Sequence, residues 1–182
     1  RMGHQKALLS WCGTTLLQYQ VNALLAAGVH QVLVVLGYHA ETLRPLVESI
    51  PGVEAALNLR YRTGKSSSVR AGLRHITPQT EDIMILAVDQ PRSSKTIRNL
   101  AIEHQRQHSL ITYPTYLGKG GHPIIFSRAL LSQMTNIHES RRGLREVVQR
   151  HQSQVSRIEV EDPEVLLDLN NPDDYRRATV AK

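Results

Sequence analysis

The chain has 182 residues, 41% hydrophobic and 21% charged, which are the proportions of a soluble globular protein able to bury a core without metal or disulfide staples. The net charge of +6 and a pI near 9.8 favour an anionic partner, but an aromatic fraction of only 4% leaves few platforms for stacked bases. A phosphorylated small molecule therefore fits the charge at least as well as nucleic acid. No apolar run approaches the ~18 residues of a membrane span, so neither a span nor a leader is expected, and the single cysteine, Cys12, points to a reducing cytoplasm.

The chain opens on RMGHQKALL, two cations and a glycine within six residues, followed by an apolar run. Thr14 is placed to cap a helix with the stripe Leu17, Val21, Leu24, Leu25, and Gly28 ends it. QVLVVLG (31–37) reads as a strand buried on both faces, as in a parallel sheet. A helix over Ala40 to Ser49 stops short of Pro51, Val53 to Leu57 is a short strand, and Ser66 to Ile76 is a helix with serine at its start. DIMILAV (82–88) is a second buried strand, followed by DQP and a helix from Ser93 to Gln107. Strand and helix alternating at this spacing predict parallel βαβ units with right-handed crossovers in a three-layer α/β/α sandwich.

The second half is less regular. LITYPTYLGKGGHPIIF (110–126) predicts two short strands around the turn at Gly118 to Gly121. Ser127 to Met134 and Arg142 to Gln152 read as helices and Val155 to Val160 as a strand. LLDLNNPDDYRRA (166–178) reads as the end of a strand, a polar turn and a last helix entered at Pro172. No linker or repeat divides the chain, so residues 1–182 are expected to form one domain.

Ligands of open parallel sheets bind outside the carboxyl ends of the strands, and DIMILAVDQP puts Asp89 there. A carboxylate at that edge suits Mg²⁺, which prefers oxygen and shares its shell with substrate phosphates; a turn cap is the other reading, at equal weight. DLNNPDD (168–174) offers more oxygen ligands, though Asp and Asn before proline also describe an ordinary helix entry, the favoured reading from pattern alone. GKSSSVRAG (64–72) sets a glycine, a cation and three hydroxyls at a helix start, where free N–H groups attract anions, without the spacing of a phosphate-binding loop. His122 lies on the GGHP turn (120–123), where a ligand contact and a structural hydrogen bond are equally open. His104 and His108 have metal-pair spacing but no accompanying glutamate, so a solvated helix face is expected. Arg141, Arg142, Arg145 and Arg150 form a basic stripe expected to face solvent, and Trp11 and Cys12 are expected to pack inside.

Taken together and in order, RMGHQKALL, VVLGY, NLRYRTGKSSSVRAGL, VDQP, GKGGHPIIF and DLNNPDDY resemble the nucleotidyltransferases that build the dinucleotide form of the molybdenum cofactor. Within that family the chain is similar to the molybdenum cofactor cytidylyltransferases rather than to the guanine dinucleotide synthases, whose G-P-L-A-G type segment it lacks. The resemblance spans essentially the whole chain and implies a Rossmann-like fold of the nucleotide-diphospho-sugar transferase type. The family opens on a strand and a loop of the form L-A-A-G-x-S-x-R-M-G-x-x-K, of which only R-M-G-x-x-K is present here, so the first strand is expected to be missing.

The resemblance implies that Arg1, Gly3 and Lys6 bind the triphosphate, with Lys6 also catalytic. Two cations beside a flexible loop can neutralise a polyphosphate, arginine bidentately. It implies that Asp89 carries the catalytic Mg²⁺ and that Asn170, where the family has aspartate, is the second ligand, with Asp168 in reserve. Ser66, Ser67 and Ser68 align with the base and ribose side of the nucleotide site, and His122 with the pterin side. The implied reaction transfers CMP from CTP, or GMP from GTP, to the phosphate of a molybdopterin-type substrate, with a molybdenum hydroxylase as a possible recipient of the product. A sugar phosphate acceptor and a non-catalytic cofactor carrier are the alternatives. No nucleic acid and no membrane are expected as partners, and no G-x-G-x-x-G supports an oxidoreductase.

Overall fold

The computed structural model describes residues 5–180. Lys6–Leu8 form a 3-10 turn that buries Ala7, and an antiparallel pair, β1 (Ser10–Trp11) and β2 (Thr14–Thr15), leads into α1 (Leu16–Ala26). The cap of α1 is Thr15, not Thr14. Its hydroxyl accepts from the Gln18 N–H at 3.2 Å and its own N–H donates to Gln18 Oε1 at 3.4 Å, a reciprocal capping box.

β3 (Val32–Leu36), α2 (Ala40–Glu48) and β4 (Val53–Leu57) form the expected βαβ unit, with β3 and β4 parallel from Val32 opposite Val53 to Leu36 opposite Leu57. α3 (Lys65–Leu73), β5 (Asp82–Ile85) and α4 (Ser94–Gln107) follow, α4 capped by the Ser93 hydroxyl. Residues 110–126 hold parts of three strands instead of two: β6 (Ile111–Tyr116), β7 (Lys119–Gly120) and β8 (Ile124–Ser127). α5 (Leu131–Thr135), α6 (Leu144–Arg150), β9 (Val155–Glu159) and α7 (Pro172–Val180) complete the chain. The five-stranded sheet runs β5-β8-β6-β7 with β9 also beside β6. β6 and β9 are parallel, whereas β8 is antiparallel to both its neighbours, so the sheet is mixed.

Residues 166–168 do not end a strand. Pro163–Leu166 is a 3-10 turn capped by Asp162, and the Val165 and Leu167 carbonyls are taken by the Arg92 guanidinium rather than by a ladder. Helices cover both faces of the strands. Leu17 and Val21 of α1 and Leu43 and Val47 of α2 pack with Val32 and Leu36 in one cluster. Leu73, Met134 and Val147, from α3, α5 and α6, pack with Ile83, Ile111 and Phe126 in another. Burial of each large side chain contributes about 1.5–3 kcal/mol. A third cluster, Trp11, Leu16 and Leu169, with Val88 against it, draws the segment after Asp168 towards the segment after β5. No helix among the described residues is long and apolar enough to cross a membrane.

Candidate active site

The site forms where β5 ends. Its ladder stops at Ile85, and residues 86–93 turn back across the sheet edge with the Gln90 N–H donating to the Ala87 carbonyl at 3.0 Å. Gln20 holds this turn from α1. Its amide nitrogen donates to the Ala87 and Gln90 carbonyls at 3.1 and 2.6 Å, and its oxygen accepts the Arg92 N–H at 3.0 Å. Asp89 sits on the turn with its carboxylate largely buried and paired to Lys6, Nζ to Oδ2 at 2.8 Å. Two sequence candidates 83 residues apart thus meet directly. Gln5 anchors the Lys6 segment by donating to the Tyr38 carbonyl at 3.2 Å, beyond β3. Arg1 and Gly3 lie outside the described residues.

The 168–170 segment arrives through the backbone: the Leu169 N–H donates to the Asp89 carbonyl at 2.9 Å, so Asp168 and Asn170 flank the Asp89 turn. Asn170 is exposed, its N–H bonded to the Asp168 carbonyl and the Asp174 carboxylate. His122 comes from the turn between β7 and β8, its N–H donating to the Val165 carbonyl at 2.9 Å across a cis bond to Pro123. Burial first, then the nearby Arg92 charge, holds the His122 imidazole below the ordinary histidine pKa, with Lys65 adding to and Asp168 and Asp89 opposing the effect. The imidazole is therefore neutral at neutral pH. Lys65 begins α3, and its charge acts through space on the His122 imidazole.

The three serines are engaged within the chain. Ser66 donates through its hydroxyl to Glu139 Oε2 at 2.7 Å, and the Ser66 N–H reaches the same oxygen at 2.9 Å. Ser67 donates to the Gly64 carbonyl at 2.8 Å, and the Asn58 amide bridges Ser67 and Ser68 at 2.8 and 3.0 Å. No serine caps α3. Gly64 is the residue before it, at φ +104°, and a Cβ there would lie 2.6 Å from Glu139 Cδ. The bonds from Ser66 pull the Glu139 carboxyl below the usual carboxylate range.

Other candidates fall elsewhere. His104 is buried, not on a solvated face: Nδ1 pairs with Thr112 Oγ1 at 2.7 Å and Nε2 with Asp82 Oδ1 at 3.0 Å, which joins α4 to β6 and β5. His108 is the left-handed residue that ends α4. Trp11 packs inside as expected, but Cys12 is exposed. Arg141, Arg142, Arg145 and Arg150 face solvent.

Gln20, Asn58, Arg92 and Glu139 are the residues that sequence reasoning missed. Gln20 had a signal, a polar residue three positions from Leu17 on the apolar stripe of α1. Arg92 and Glu139 bond partners remote in sequence and leave no local pattern, and Asn58 bonds Ser67 and Ser68 across a turn that has no regular spacing.

The segments that meet at Asp89 carry hard oxygen donors, the Asp89 and Asp168 carboxylates and the Asn170 carboxamide. No group of three or more His, Cys, Asp or Glu among the described residues makes a closed metal cage. Such a set fits a divalent cation that takes its remaining ligands from water and phosphate. Charged groups gathered beyond the carboxyl end of β5 are the arrangement of the class of α/β proteins that bind nucleotides at that edge of the sheet.

Residues 1–155 match the MobA-like NTP transferase domain, and the chain belongs to that family of nucleotidyltransferases. Over 96% of this chain and 87% of the relative it is 27% identical to the molybdenum cofactor cytidylyltransferase of Escherichia coli. The crystal structure of Rv0371c from Mycobacterium tuberculosis is 28% identical over 98% of this chain and 90% of that one, with a TM-score of 0.83. A manganese complex of Rv0371c, 26% identical over 97% of this chain and 92% of that one, has a TM-score of 0.81.

Proposed function

We propose that this nucleotidyltransferase moves CMP from CTP to the terminal phosphate of a molybdopterin-type substrate and releases pyrophosphate. An acceptor phosphate oxygen bonds to the α-phosphorus, and the bond from that phosphorus to the oxygen bridging to the β-phosphate breaks. A phosphate nucleophile is already ionised near neutral pH, so no strong general base is needed, and catalysis rests on positioning and electrostatics. The single observation that carries the reading is the Lys6–Asp89 pair at the carboxyl edge of β5, with the 120–123 and 165–170 segments folded onto it.

Lys6, with Arg1 and the Gly3 backbone, holds the triphosphate. Asp89 and Asn170 would hold Mg²⁺, and such an ion would supply positive charge against the phosphates. Ser66, Ser67 and Ser68 line the base and ribose side, with the hydroxyls fixed by Asn58 and Glu139. His122 presents a neutral imidazole towards the pterin. The name of the Escherichia coli relative supports CTP and the cofactor acceptor, and the manganese-bound structure supports a divalent cation. An exposed Cys12 agrees with a reducing cytoplasm, where a free thiol persists.

The test is pyrophosphate release by the full-length protein with CTP, GTP, ATP or UTP and a panel of acceptors, with Asp89→Ala beside it. The expected result is turnover with CTP and the pterin phosphate, lost by orders of magnitude in Asp89→Ala while the melting transition persists. Turnover with a sugar phosphate alone sinks the acceptor assignment, and tight pterin binding without any pyrophosphate sinks the transferase reading in favour of a carrier.

A further inference from the structure

Arg92 is the most deeply buried cation of the described residues, 0% exposed, and among those residues it has no ion pair. Its guanidinium is instead spent on backbone carbonyls. Nε donates to the His122 carbonyl at 2.8 Å, Nη1 to the Pro91 carbonyl at 2.8 Å, and Nη2 to the Val165 and Leu167 carbonyls at 2.8 and 3.0 Å. These acceptors lie on three separate segments. Each segment carries a site residue: Pro91 is two positions after Asp89, His122 is itself a candidate, and Leu167 precedes Asp168. The same segments are tied to one another by the Leu169 N–H on the Asp89 carbonyl and the His122 N–H on the Val165 carbonyl. Burial pulls the Arg92 pKa down to about 10, so the group stays charged at neutral pH, with Asp162, Glu164, Asp168 and Asp89 acting on it through space.

A desolvated cation without an ion pair is expensive, and an apolar residue of similar volume can fill the same space. What an apolar residue cannot do is satisfy four backbone carbonyls, those of Pro91, His122, Val165 and Leu167. The planar fork of arginine does this, whereas the ammonium of lysine is a point charge on a flexible stem.

We infer that Arg92 is a positioning residue, the joint that sets the Asp89 turn, the His122 turn and the 165–169 segment in register for nucleotidyl transfer. This assignment rests on the transfer reaction proposed above. Arg92 touches no reacting atom. It acts through the three segments, and a small displacement of any one of them is amplified, because misplacement by about 1 Å can slow a reaction about 100-fold.

The experiment compares wild type with Arg92→Lys and Arg92→Ala in the full-length protein. In Arg92→Lys, kcat for pyrophosphate release is expected to fall about 100-fold while KM for CTP stays within about threefold. Guanidinium chloride at non-denaturing concentration restores part of the Arg92→Ala turnover, which it cannot do for an enzyme that has merely lost stability. Amide hydrogen exchange supplies a readout free of turnover. The Leu169 and His122 amides are expected to exchange about tenfold faster or more in Arg92→Lys, while Val34 and Ala56 of β3 and β4 keep their protection.

Uniform loss of protection, or loss of the cooperative melting transition in both variants, overturns the assignment and leaves Arg92 a plain structural support. Unchanged exchange at Leu169 and His122 with an unchanged kcat overturns it as well. A wild type that releases no pyrophosphate defeats the transfer reading instead, and the exchange pattern still decides whether Arg92 is the joint.

Discussion

Gly121 is where the His122 turn meets the 165–169 segment, and replacing it with alanine tests whether that contact holds the site together. A Cβ on Gly121 would lie 2.4 Å from the Val165 carbonyl oxygen and 2.8 Å from its carbon. Both are backbone atoms, so no rotamer change relieves the clash, and one segment must retreat by about 1 Å to reach ordinary contact at 3.4 Å. That retreat carries the His122 N–H to Val165 bond from 2.9 Å beyond bonding range and strains the Arg92 bond to the same oxygen, now 2.8 Å. Losing one neutral bond and most of one charged bond costs about 2–4 kcal/mol.

The control is Gly118→Ala. Gly118 has φ +73°, and a Cβ there would have no atom within 4 Å, so only its left-handed backbone resists, at about 1–2 kcal/mol. Urea unfolding of both variants gives the two differences directly. Gly121→Ala is expected to cost clearly more than Gly118→Ala and to slow nucleotidyl transfer, with m unchanged. If it costs the same or less, the two segments are not held by this contact, and the account of the joint is refuted.

Lys6→Met removes the partner of Asp89 and a cation for the triphosphate; KM for the nucleotide should rise and kcat should fall at least tenfold, and unchanged kinetics would remove Lys6 from the site. The lowered pKa of His122 has a definite sign: the folded state resists protonation relative to the unfolded chain near 6.5, so stability is full above that pH and declines as pH falls through the window below it. His122→Asn should flatten this part of the stability curve measured by urea at a series of pH values, and an identical slope would contradict the burial argument. Glu139→Gln keeps the shape of the cap but not its charge. Because the Glu139 pKa is lowered, its contribution exists above the ordinary carboxyl pKa of 4.5 and fades on acidification, so the variant should be less stable at neutral pH and the difference should shrink as the pH falls below 4.5.

The parts of the fold with local signatures were legible. Val53–Leu57 was bounded correctly by its apolar run and by Gly52, and Asp89 was placed at a strand end because the run DIMILAV stops at a charge. β5 is nevertheless shorter than that run, because Gln20 captures the Ala87 carbonyl that a longer ladder would need. β7 was invisible because two residues paired to Tyr116 and Thr115 carry no alternation. His104 was misread since its neighbours Glu103, Gln105 and Arg106 are polar, while the residue itself points inward to Thr112 and Asp82 on two strands. The site divides the same way. Lys6, Asp89, Asn170 and His122 stood out as motifs, but the groups that assemble them, Gln20 and Arg92, bond carbonyls, and carbonyls have no sequence identity to read.

The start of α3 shows how this internal wiring narrows the chemistry. A glycine, a lysine and serines at a helix N-terminus ordinarily advertise an anion site, since the first N–H groups are unpaired and the helix end is partly positive. Here the Glu139 carboxylate already sits on the Ser66 N–H and hydroxyl, and the Ser67 N–H is bonded to the Gly64 carbonyl at 3.2 Å. A phosphate would have to displace a carboxylate that is covalently tethered and therefore present at high effective concentration. The proposed polyphosphate contact of Lys6 meets less competition: among the described residues its ion-pair partner is Asp89, a carboxylate that a divalent cation could engage in its place. The two ends of the site then have separate tasks. In the transfer proposed above, the Lys6–Asp89 pair is the part assigned to charge, and the α3 hydroxyls, fixed by Asn58 and Glu139, are the part assigned to a neutral ribose or base.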